Sequence, residues 1–211
     1  MNTTTDQLAD SLIEAGRLLY RQGMVPATSG NLSARLPDGR LLITVSGRHK
    51  GKLTRDDLLI TDVRGNSLDN RTPSAETQLH VQAYRRLPEI NSVLHHHSAN
   101  ATLVSELHQG TLLLQDYELL KAFSGVDCHT RRVRVPIFAN DQDIERLATV
   151  VDHDMDIDGS LLGYLIRGHG FYTWGESVED ALRHVEAFEF LFDCKLRMLT
   201  MQKNTRTGAG P

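Results

Sequence analysis

The sequence predicts an α/β layered single domain whose sheet need not be purely parallel. Three observations carry this reading. Apolar positions at helical spacing take turns along the chain with short runs of strand character. Several of those runs alternate apolar with polar residues, as half-buried strands do, whereas an all-parallel sheet would show continuous apolar runs. No repeat, linker or low-complexity block divides the chain, and 211 residues suit one compact domain with its own core.

Taken in order, Leu8, Leu12, Ala15 and Leu19 mark one face of a helix over residues 6–22, stopped by Gly23 with Pro26 close behind. The polar turn Thr28-Ser29-Gly30-Asn31 leads into short β-like pieces, with strands over residues 41–45 and 58–61. Pro73-Ser74 precedes a helix through Gln78, Val81, Gln82 and Arg85. Residues 90–94 read as a buried strand with His95-His96-His97 at its end. Helical stretches follow over 99–107 and 117–123, then an alternating strand over 131–138. Asn140 or Asp141 is placed to cap a helix running to about Val151. Strands over 161–166 and 171–174 flank the sharp turn Gly168-His169-Gly170. Ser177 with Asp180 opens a long helix with Leu182, Val185, Phe188, Leu191 and Phe192 toward the core. The domain is expected over residues 1–201, and the polar, Gly-bearing residues 202–211 are expected to form a flexible tail.

Composition excludes several classes of function. A formal net charge of -4 argues against nucleic acid or an anionic membrane as the main partner. No apolar run approaches the roughly 18 residues that span a bilayer, and the first ten residues lack the basic and apolar regions of a secretory signal. Cys128 and Cys194 form no close-spaced motif and read as reduced thiols. The expected setting is cytoplasmic. A phosphorylated substrate would have to be met by a local pocket.

The strongest chemical signal is His95-x-His97. Side chains alternate along a strand, so these two imidazoles share a face and His96 takes the other. Two such rings can hold one divalent ion, although the pair also occurs as a surface cluster without metal. His169, flanked by two glycines, is the candidate third ligand, and three histidines leave an open, catalytic coordination position. His49, His80, His108, His129, His153 and His184 read as surface or packing residues. Ser29-Gly30-Asn31, Ser46-Gly47 and Pro73-Ser74-Ala75 are either ordinary turns or parts of an anion nest. Lys50 and Lys52 could add charge to it. Glu118 and Glu76 are candidate acid/base carboxylates, with a solvated helix face and a helix-dipole contact as their plainer readings.

In this order the motifs resemble the class II aldolase family of sugar-phosphate aldolases, epimerases and dehydratases. The likeness lies in Thr28 to Asn31, Ser46-Gly47, Pro73 to Glu76, His95 to His97 and His169-Gly170, and runs from about Leu8 to Leu199. The segments Ser46 to Gly51, Asp116 to Lys121 and Arg167 to Gly175 are similar to the dehydratase branch. The resemblance implies a three-layer α-β-α domain with a mixed, largely antiparallel sheet. It implies one zinc ion per subunit on His95, His97 and His169, and a phosphate pocket of Gly30, Asn31, Ser46, Gly47 and Ser74. By the same resemblance Glu118 is the acid/base, with Glu76 as the alternative. The expected reaction is loss of water from a ketose 1-phosphate, with aldol cleavage or 4-epimerisation of another sugar phosphate as the alternative. A homotetramer whose neighbouring chains close each cleft is implied as well. Ala75 departs from the second serine of the aldolase segment and removes one hydroxyl from the pocket.

Overall fold

The computed structural model describes residues 3–157 and 161–207. Its helices are α1 (Thr3–Arg21), α2 (Thr77–Arg86), α3 (Ala99–Leu107), α4 (Ile144–Ile157) and α5 (Val178–Thr207). The strands are β1 (Asn31–Arg35), β2 (Leu41–Thr44), β3 (Leu58–Thr61), β4 (Ser92–His96), β5 (Thr111–Leu114), β6 (Val133–Phe138), β7 (Gly163–Ile166) and β8 (Gly170–Gly175). They form one eight-stranded sheet in the order β3-β2-β1-β4-β8-β7-β6-β5, antiparallel throughout except for the parallel β6–β7 pair. The sheet is therefore mixed and largely antiparallel, as expected.

Alternation along the strands sorts the core into two faces. Leu94 of β4 joins Leu12, Leu19, Leu32 and Val185 in a cluster beneath α1 and α5. Phe171, Phe188, Phe192, Val104 and Val135 continue that layer beneath α3 and α5. On the opposite face Val93, Tyr164, Tyr172 and Trp174 pack with Leu79 and Ala83 of α2 and Leu147 and Val151 of α4. Helices on both faces make the three layers.

Four sequence expectations change. Residues 117–123 do not form an α-helix; the segment is a single 3-10 turn over Glu118–Ala122. β5 was not foreseen. Asp143, not Asn140 or Asp141, caps α4, its side chain accepting from Arg146 N at 3.0 Å. Helix α5 continues past Met201 to Thr207, so residues 202–207 extend the helix; the rest of the expected tail, 208–211, lies outside the described residues. Ser177 does cap α5, accepting from Asp180 N at 3.1 Å. Among the described residues no helix is long and apolar enough to cross a membrane.

Candidate active site

The site gathers where β4 ends, β8 begins and β1 begins. β1 and β4 run antiparallel with Asn31 opposite His95, and β4 and β8 run antiparallel with His95 opposite Tyr172. His95 is fully buried and stacks on Tyr172 with ring centroids 3.9 Å apart; Tyr172 stacks in turn on Tyr164 at 4.9 Å. Just past the strand, His97 is held through its backbone N–H, which donates to Met24 O at 2.8 Å. His169 rides on the tight β7–β8 turn. Arg167 ties that turn to α3 by donating to Ser105 O and His108 O, and Gly168 N donates to Ser105 Oγ. Close approach demands glycine next to the site: a Cβ on Gly170 would stand 2.3 Å from His96 O and 2.9 Å from His95 Cε1.

His96 faces the other way, as the strand period requires. Its Nε2 pairs with Glu189 Oε1 of α5 at 2.8 Å, beneath the opposite helical layer.

Between the other three histidines stands Glu76, the residue preceding α2. Its Oε2 lies 3.3 Å from His95 Nε2 and its Oε1 3.2 Å from His169 Nε2, while His95 and His97 Nε2 are 2.8 Å apart. The four ligand atoms all lie within 4.8 Å of one another. Donors about 2.0–2.1 Å from a common tetrahedral centre would be about 3.4 Å from each other, so the spacing suits one ion. Protonation agrees. Burial first, then the neighbouring imidazoles, hold His95 well below its ordinary value and bring His97 down to about 3. His95 Nδ1–H donates to Phe171 O at 3.0 Å, which leaves the Nε2 lone pair facing the cluster. Neutral nitrogens aimed at one point beside a carboxylate suit a divalent metal.

The cluster borders a cavity of about 470 Å³. All five residues of the expected phosphate pocket, Gly30, Asn31, Ser46, Gly47 and Ser74, line it together with Glu76, His97 and His169. Lys50, Asn140, Asp141 and Gln142 also lie on the wall. Gly30 needs its left-handed backbone (φ +74°) and its missing side chain, since a Cβ there would stand 2.7 Å from His95 O.

Glu118 is not brought to this cavity within the chain. β5 pairs antiparallel with β6, Leu114 opposite Val133, while β6 pairs parallel with β7, Phe138 opposite Ile166. Glu118 therefore follows the sheet end away from the His169 turn. Its side chain is 75% exposed and pairs with Lys121 at 2.6 Å, which lowers its carboxyl below the ordinary value.

His80, expected as a packing or surface residue, is fully buried beneath the site. Burial lowers it to about 3, so it is neutral at physiological pH. Its Nε2 meets Asn31 Oδ1, an acceptor only, so that nitrogen carries the proton. Nδ1 then accepts from Ser33 Oγ at 2.7 Å, and Ser33 contacts the Tyr84 hydroxyl at 2.8 Å. With its oxygen engaged there, Asn31 donates Nδ2 to Glu76 Oε2 at 2.6 Å. This chain fixes the Asn31 amide and, through it, the Glu76 carboxylate. One signal in the sequence could have found it: Glu76, His80 and Tyr84 recur at intervals of four, the first at the N-cap of α2 and the other two on one face of it.

A family model, Class II Aldolase and Adducin N-terminal domain, matches residues 10–196. The chain belongs to the class II aldolase and adducin family. Within this family it is 57% identical over 205 residues to a protein of Pseudomonas paraeruginosa named methylthioribulose-1-phosphate dehydratase, covering 96% of this chain and 100% of that one. A Methylococcus capsulatus protein of the same name is 56% identical over 197 residues, 93% of this chain and 97% of its own. Among solved structures, the l-fuculose-1-phosphate aldolase of Thermus thermophilus superposes with a TM-score of 0.76 at 27% identity, covering 97% of this chain and 99% of that one.

Proposed function

We propose that this chain is a zinc-dependent hydro-lyase that converts 5-methylthioribulose 1-phosphate to 5-methylthio-2,3-dioxopentyl 1-phosphate, a dehydration step of methionine salvage. The observation that carries the reading is one cavity with a His/Glu donor cluster at one side and hydroxyl- and glycine-bearing turns at the other. The names of the relatives at 56–57% identity support the choice of substrate. His95, His97 and His169 would hold the metal, with Glu76 beside them. Bound there, a zinc ion would polarise the substrate carbonyl as a Lewis acid and acidify the neighbouring carbon.

The remaining work falls to the chain itself. The turns at Gly30-Asn31, Ser46-Gly47 and Ser74 hold the phosphate and set carbons 3 and 4 beside the cluster. A carboxylate takes the proton from carbon 3; the hydroxyl on carbon 4 leaves with a proton as water, and the enol formed tautomerises to the 2,3-diketone. Both Glu76 oxygens already face histidines and Asn31, which fits a member of the donor set. Glu118, held ionised by Lys121, is in the state a base requires. It serves as the acid/base when a neighbouring chain of a homotetramer brings its far sheet end to this cavity. Two free cysteines, Cys128 and Cys194, fit a reducing cytoplasmic setting.

Product analysis tests the proposal. The metal-loaded protein should release the diketone from 5-methylthioribulose 1-phosphate and leave fuculose 1-phosphate uncleaved. Retro-aldol fragments from either substrate, without the diketone, would replace the dehydratase reading with an aldolase.

A further inference from the structure

Lys50 is only 1% exposed, yet it lines the cavity. Burying an ammonium group is costly, and proteins ordinarily offset the cost with an ion pair. Here Nζ donates instead to two backbone carbonyls, Thr28 O at 2.8 Å and Arg48 O at 2.7 Å. An ammonium has three N–H donors. Among the described residues, neither a third acceptor nor an ion-pair partner engages this one. Lys52, two residues on, is exposed and outside the cavity wall, so only one of the paired lysines faces this problem.

The surroundings say what the missing partner is. The same wall carries Ser46 and Ser74, which offer hydroxyls, and Gly47, which offers a backbone N–H, none of them positively charged; its carboxylates, Glu76 and Asp141, make no ion-pair contact with Lys50. Neutral donors of this kind orient an anion but leave its charge unbalanced. The chain as a whole is acidic at -4, so no general field makes up the difference. Lys50 Nζ has two backbone acceptors and a third N–H with none, Glu76 acts on it only through space, and the hydroxyl- and N–H-bearing wall beside it is shaped for an anion.

We propose that Lys50 is the cation that binds the phosphate of the substrate, its third N–H completing the cradle formed by Ser46, Gly47 and Ser74. The two carbonyl contacts aim the ammonium before the ligand arrives, so little side-chain freedom is lost on binding. Burial, with Glu76 opposing it, leaves the Lys50 ammonium at about 8, still mostly charged at neutral pH. Lys50 thereby becomes a specificity residue: it separates phosphorylated ketoses from free ones. The inference rests on the proposed sugar-phosphate reading.

The test uses the full-length, metal-loaded protein with Lys50→Met and Lys50→Arg beside wild type. Inorganic phosphate and the unphosphorylated ketose 5-methylthioribulose are each measured as competitive inhibitors. A hydrogen bond to a charged group is worth enough that Lys50→Met should weaken inorganic phosphate by roughly 10- to 100-fold. Lys50→Arg should recover much of that loss, and the unphosphorylated ketose should bind all three proteins within about threefold. If Lys50→Met weakens both inhibitors equally, Lys50 is a strut between the Thr28 and Arg48 turns and the proposal falls. Equal phosphate affinity in wild type and Lys50→Met would also overturn it, leaving the sugar-phosphate reading intact. Wild-type protein that binds no phosphate would remove the phosphate cavity itself, and Lys50's role with it.

Discussion

The two ends of the sheet carry the same residue types in opposite physical states. At the β4–β8 end, His95, His97 and His169 are packed around Glu76, and burial keeps His95 and His97 neutral. At the other end Glu118, Lys121 and His129 stand largely in solvent, with Glu118 charged and paired. A neutral imidazole is a metal ligand; an ionised exposed carboxylate is a base with no substrate in its own chain. The contrast teaches that burial, not residue type, decides whether a histidine or carboxylate is set up as a ligand or left as a solvated charge. A symmetric, head-to-tail assembly would let one chain's exposed end complete its neighbour's buried end.

The sharpest way to break this comparison is to empty the buried end. Replacing His95 and His97 together with Ala should abolish metal retention, measured by elemental analysis, and reduce dehydration to background. Full metal content in that variant would remove the donor cluster from the proposal. Next in size, Glu118→Gln should keep metal and fold and lose at least about 10²-fold in kcat. Mixing Glu118→Gln chains with the His95/His97 double variant then separates the two addresses. If Glu118 acts on a neighbour, random mixed tetramers should regain about a quarter of wild-type activity, because each chain type supplies what the other lacks. Mixtures that stay inactive would place Glu118 outside the reaction or within its own chain's site.

Smaller effects probe the support beneath the buried end. Removing the imidazole in His80→Ala leaves Asn31 Oδ1 and Ser33 Oγ without the partner they share, a loss of about 1–3 kcal/mol in stability by denaturant melting. The same chain predicts an acid sensitivity. His80 is lowered from 6.5 to about 3 in the fold, so between those values the unfolded chain binds the proton and the native one does not. Its contribution is complete above pH 6.5 and drains away as pH falls toward 3. Urea melts of the metal-free protein at pH 7 and pH 5 should show His80→Asn losing less stability on acidification than wild type. The mildest change is Ser46→Ala, which removes one neutral donor from the cavity wall and should lower kcat/KM roughly fivefold.

What could be read from the sequence followed from local periodicity. His95 and His97 sit two apart on a strand, so their shared face is a property of the strand itself. Gly168 and Gly170 mark the turn that carries His169. The Ser and Gly turns were placed in one cavity by their likeness to a family rather than by their spacing. Periodicity says nothing about which end of a sheet a loop leaves from, so the distance of Glu118 from its own chain's cavity could not be read there. Its end is decided by β5, whose short Thr111–Leu114 run looks like loop until it pairs with β6. Burial of long-range partners is equally invisible in order along the chain. Ser33 and Asn31 reach His80 of α2 from strand β1, and the Thr28 and Arg48 carbonyls hold Lys50 inside.

The three consecutive histidines turn strand registry into an error check. His95 and His97 serve the donor cluster, while His96 grips Glu189, which also accepts from Ser98 at the start of α3 and from Asn100. Slide β4 by one residue and the roles exchange: a single imidazole would reach the cavity, and two would press against a carboxylate that has room for one. The misaligned chain would forfeit its metal and its α5 anchor in the same stroke. Correct pairing of the central strands is thus proofread by both layers at once, and a chain that can load metal has, by that fact, threaded its sheet correctly.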